Sequence, residues 1–65
     1  MNKPCNGFKF VTNGYYGGTI WQVIDQCEED PEMIYIQAVD CPEAITGFEI
    51  KKLWDGIEEG FYVIA

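Results

Sequence analysis

The chain has 65 residues, eleven of them Asp or Glu against four Lys and no Arg or His, for a formal net charge of -7. With 48% hydrophobic residues and charges spread along its length, it reads as one small acidic globular domain over residues 1–65 and not as a disordered acidic tail. Four lysines without a guanidinium exclude a basic patch for phosphate backbones, so no direct nucleic-acid binding is expected.

In chain order, Phe8 to Thr12 reads as a first strand, followed by a turn-rich loop, Asn13-Gly14-Tyr15-Tyr16-Gly17-Gly18. Thr19 to Asp25 is dense in β-branched and aromatic residues and reads as a second strand. Gln26 to Glu32 is polar, contains Glu28-Glu29-Asp30-Pro31, and is expected as the exposed connection to a third strand, Met33 to Val39. Asp40-Cys41-Pro42-Glu43 reads as a second turn and Ile45 to Ile50 as a fourth strand interrupted by Gly47. Lys51 to Ile57 reads as a short helical or 3₁₀ turn and Phe61 to Ile64 as a last strand, while a helix over Ile45 to Glu59 packed on a three-stranded sheet fits the same hydrophobic pattern if Gly47 and Gly56 are tolerated.

Registering the central hairpin about Glu29-Asp30 pairs Trp21 with Ala38, Val23 with Ile36 and Asp25 with Ile34. Trp21, Val23, Ile34, Ile36 and Ala38 then share the core face. The opposite face, with Ile20, Gln22, Ile24, Tyr35, Gln37 and Val39, is too apolar for an ordinary solvated surface. It is either buried by strong curvature of the sheet or a contact surface. The same register sends Cys27 and Cys41 to opposite ends of the hairpin, about 30 Å apart at ~3.3 Å per residue, too far for a disulfide.

The margin of stability is small. Burial of about 3,900 Å² of apolar surface contributes ~100 kcal/mol, and ordering the chain at ~1.5 kcal/mol per residue costs about the same. An odd number of cysteines, Cys5, Cys27 and Cys41, with no C-x-x-C pair gives neither a complete disulfide framework nor a zinc site, and suits a reducing cytoplasm. No stretch has the length of a membrane span and the first residues lack the apolar run of a signal peptide, so a cytoplasmic location without membrane partners is expected.

Catalysis is not expected. Histidine, the usual general base, is missing, and few cations are present to turn a cysteine into a thiolate nucleophile. Glu28-Glu29-Asp30 and Glu58-Glu59 are adjacent acids of the kind that turns present to solvent. The Asp25 to Glu32 segment lacks the ligand spacing and central glycine of a calcium loop, so no metal is expected. Gly14 to Gly18 lacks the Gly-Lys-Ser that would make it a phosphate loop, and no cofactor is expected.

Five short strands, a long first loop and one helical turn before the last strand are the element order of a Src-homology-3-like barrel. The chain resembles that family from Phe8 to Ile64, on Gly17-Gly18-Thr19-Ile20-Trp21, the acidic turn, Lys51-Lys52-Leu53-Trp54 and Phe61-Tyr62-Val63-Ile64. The resemblance implies an all-β, five-stranded barrel. It does not carry over proline-peptide binding, because the loop from Thr12 to Gly18 has no acid and the Trp pair of that groove is missing. In size and charge the chain is also similar to short acidic proteins of bacteriophages and mobile elements, among them anti-restriction and anti-CRISPR inhibitors.

Two roles fit the acids. They either supply solubility alone, or they present a negative, nucleic-acid-mimicking surface that blocks the basic nucleic-acid site of a host defence protein. In the second case Asp25, Glu28, Glu29, Asp30 and Glu32 steer association, and Tyr15, Tyr16, Tyr35 and Trp54 are the candidate anchors, with Trp54 as suited to capping the barrel. The alternative is a structural subunit that forms a homodimer or larger species through Ile20, Ile24, Tyr35 and Val39, insensitive to salt and lost on Tyr35→Lys.

Overall fold

The computed structural model describes residues 3–12 and 18–65. Five strands, β1 (Lys9–Thr12), β2 (Ile20–Gln26), β3 (Met33–Ala38), β4 (Cys41–Glu49) and β5 (Tyr62–Ile64), form one antiparallel sheet in the order β4-β3-β2-β1-β5. Helix α1 (Ile50–Glu59) connects β4 to β5. The fold is mostly β, but the expected barrel does not form: β4 and β5 are the two free edges of an open sheet.

The helix is the reason. Ile50, Leu53 and Gly56, spaced by three, are buried along one side of α1, while Lys51, Lys52, Glu58 and Glu59 are exposed. Ten residues at ~1.5 Å rise make a rod of about 15 Å, enough to cross three strands at ~4.8 Å spacing. A single helical turn could not cover the sheet; α1 does, and supplies the second layer that closure into a barrel would otherwise provide. Gly60, at φ 88°, ends the helix in the left-handed conformation, and the Phe61 N–H donates to the Gly56 carbonyl at 2.8 Å.

Between the layers lie Phe10, Val23, Ile34, Ile36, Ile50 and Leu53, with Phe8, Trp21, Phe48, Trp54, Ile57 and Tyr62 packed around them. Phe10 has ring centroids 6.0 Å from Phe48 and 5.5 Å from Tyr62, so strands from both edges converge on β1's one fully buried ring. Gly56 faces the Tyr62 ring so closely that a Cβ there would collide with it. The glycine thus permits the helix to approach β5.

The central hairpin keeps two expected pairs, Trp21 with Ala38 and Val23 with Ile36. The third is corrected: a bulge at Ile24 shifts the register, so Asp25 faces Tyr35 and Gln26 faces Ile34. An extra residue puts Ile24 and Asp25 together opposite Tyr35 and moves Gln26 to the core side, where its Nε2 donates to the Pro4 carbonyl at 2.9 Å. The second turn is also shorter than expected. Val39 and Asp40 alone separate Ala38 from its partner Cys41, and β4 starts there, with Pro42 tolerated because β4 is an edge.

Candidate functional site

The loop from Cys27 to Glu32 closes on itself by local bonds. The Cys27 N–H donates to the Met33 carbonyl, the Met33 N–H to the Asp30 carbonyl, and the Glu32 N–H to Asp30 Oδ1 at 3.0 Å. Asp25 Oδ1 likewise accepts the Gln26 N–H at 2.8 Å. Two of the carboxylates therefore shape the turn, and Asp25, Glu28, Glu29, Asp30 and Glu32 are all exposed.

The register adds one more carboxylate to this end. Met33 pairs with Glu49, and the Ile50 N–H donates to the Glu32 carbonyl at 2.9 Å, so Glu49 joins the same acidic end. Its distance from the turn along the chain hides this, and only the pairing of β3 with β4 reveals it. On the helix side the end is not uniformly negative. A shallow depression of about 280 Å³ is lined by Lys3, Pro31, Glu32, Glu49, Ile50 and Lys51. Lys51 bridges to Asp55 at 2.8 Å, a bond that raises the lysine's pKa.

Tyr35 lies beside the acids on the face of the sheet away from α1. Its cross-strand neighbours are Asp25 and Gly47, and it is 42% exposed. The Cys27 Sγ is 3.8 Å from its hydroxyl. That hydrogen bond, then the charge interaction with Cys27, slight desolvation, and the charges of Glu29 and Asp25 together hold the phenol above its ordinary pKa. The negative field of the turn thus reaches this ring.

The other expected aromatics are placed differently. Trp54 sits on α1, half-buried, with its ring edge-on to Phe8 at 5.6 Å, so it belongs to the layer opposite Tyr35. Tyr15 and Tyr16 lie outside the described residues. A smaller acidic group, Asp40 and Glu43, flanks the β3–β4 turn at the other end of the sheet, with the Cys41 thiol 3.7 Å from Glu43 Oε2. Cys5, Cys27 and Cys41 are free thiols. Among the described residues no group of His, Cys, Asp or Glu is arranged to hold a metal ion, and no helix is long and apolar enough to cross a membrane.

The face bearing Tyr35 keeps the apolar character expected of it. Val11, Ile20, Ile24 and Met33 are partly covered by their neighbours, and Val39, Ile45 and Val63 are 42%, 53% and 50% exposed. The sheet does not close into a barrel, and β4 and β5 remain its two edges. No family model, curated protein or solved structure matches the chain.

Proposed function

We propose that the chain is a protein-binding module whose acidic end occupies the basic, nucleic-acid-binding surface of another protein, the mode of action of the short phage and mobile-element inhibitors it resembles. The observation that supports this reading is the gathering of Asp25, Glu28, Glu29, Asp30, Glu32 and Glu49 at one end of the sheet, all exposed. Exposed like charges contribute little to folding. Six of them in one place generate a field that steers a cationic partner and competes with a phosphate backbone.

The test is capture from nuclease-treated bacterial lysate on the immobilised chain, with elution along a salt gradient. A basic nucleic-acid-binding protein is expected to elute at moderate salt and to release its nucleic acid when the chain is added. Changing Glu28, Glu29 and Asp30 together to Lys is expected to slow association tenfold or more and to flatten its salt dependence. An unchanged association rate in that variant would remove the mimicry.

A further inference from the structure

We infer that the sheet face opposite α1 is the docking surface for that same partner, and that the patch it meets is apolar at its centre and rimmed by Lys or Arg. The inference rests on the proposed function and assigns its contact area. The centre of the face is apolar: Val63, Val11 and Ile20 are adjacent across β5, β1 and β2, with Val39, Ile45 and Tyr35 beside them. Gln22 and Gln37 pair between these residues, and Lys9, exposed beside Gln22 on β1, places one cation in the same row.

Charge selects the occupant. The face ends on Asp25, Glu29 and Glu49 at one side and on Asp40 and Glu43 at the other. A second copy laid on it would bring acids against acids whichever way its strands ran, because both ends carry them. A partner with a basic rim meets a complementary charge at each end, around a middle that is apolar but for Lys9, Gln22 and Gln37, and a polar rim about an apolar centre is the anatomy of a specific interface. Five strands at ~4.8 Å spacing and about six residues in length offer roughly 500 Å² of projected area. With a matching patch on the partner, about 1,000 Å² is buried, the lower bound for a specific contact.

Ile45→Asp and Val63→Asp separate this inference from a purely charge-driven contact, since both substitutions make the face more acidic. The probe is the basic protein retained by the immobilised chain, with binding followed by surface plasmon resonance and folding by circular dichroism. Each variant is expected to weaken binding tenfold or more, chiefly by faster dissociation. Ile45→Thr, which keeps a strand-forming residue, should fall between Ile45→Asp and the parent. Ile64→Asp, at a residue equally exposed but paired with Phe10 on the helix side, should bind no more weakly than the parent.

Tighter or unchanged binding by Ile45→Asp and Val63→Asp would overturn this inference and leave the acidic end as the whole interface. Retention of no basic protein would overturn both readings. Sedimentation of the chain alone offers an independent check, with 7.4 kDa expected at every concentration. A dimer that persists through high salt and is lost on Tyr35→Lys would assign the face to a second copy and overturn the inference.

Discussion

Tyr35 carries the influence of its surroundings in its own ionisation. Cys27, Glu29 and Asp25 all disfavour the phenolate, so the ring titrates above its ordinary value of 10.0. The protonated form is the one favoured in the folded chain. Its contribution to stability is therefore fully present below pH 10 and is lost as pH rises through the raised folded value. Absorbance of tyrosinate against pH, with Tyr35→Phe as the reference that removes this ring, checks the assignment. Cys27→Ala is expected to lower the midpoint more than Glu29→Gln, because the hydrogen bond between the phenol and Cys27 Sγ is the largest cause and Glu29 acts only through its charge. A midpoint unmoved by either change would mean that the acids of the turn do not reach the ring. The juxtaposition was half-legible in the sequence. Alternation placed Tyr35 on the exposed face, but only the bulge at Ile24 sets it opposite Asp25 in place of Ile34. Nothing in a run of β-branched residues marks where an extra one has been inserted.

Helix α1 combines two features that act against it and one that fixes it in place. Lys51 and Lys52 stand in its first turn and Glu58 and Glu59 in its last, so the charges oppose the helix dipole at both ends. Exchanging the signs with Lys52→Glu and Glu58→Lys leaves the net charge unchanged and should raise stability by about 0.5–1 kcal/mol, read from the urea midpoint. What fixes α1 is Leu53, fully buried, and the fit of Gly56 to Tyr62. Leu53→Ala should cost about 2–5 kcal/mol and leave so small a domain largely unfolded. Gly56→Ala gains about 1 kcal/mol of helix propensity, yet it pushes into the Tyr62 ring and should be destabilising on balance by about 1–2 kcal/mol. In a Tyr62→Ala background the same change should become stabilising, because the obstacle is gone. From sequence, the segment reads as one short turn over Lys51 to Ile57, and a longer helix requires that Gly56 be tolerated. The glycine's purpose depends on the Tyr62 ring that arrives from β5 and cannot be read locally. The β4 boundary shows the same limit: Asp40-Cys41-Pro42-Glu43 has a turn's composition, and only its position on an edge lets Pro42 belong to a strand.

Charge acts on the whole molecule in two opposing ways, and salt separates them. A chain with eleven acids and four lysines repels itself when compact, and Lys51–Asp55 is the sole ion pair among the described residues. Added salt screens that repulsion, the Debye length shrinking from about 10 Å at 0.1 M to about 3 Å at 1 M. The folded chain should therefore gain stability as NaCl is raised, seen as a rising urea midpoint at constant slope. Association with a basic partner has the opposite sign, because the same ions screen an attraction, and its rate should fall over the same range. The variant with Glu28, Glu29 and Asp30 changed to Lys tests both together. Each substitution removes one negative charge and adds one positive, which takes the net charge from -7 to -1. If the acidic end is the source of both effects, this variant loses the salt-induced gain in stability and the salt-induced loss of association at once. If the gain in stability disappears while association keeps its salt slope, the turn supplies repulsion within the chain and the attraction for the partner comes from acids elsewhere, with Asp40 and Glu43 at the far end of the sheet the next to be changed.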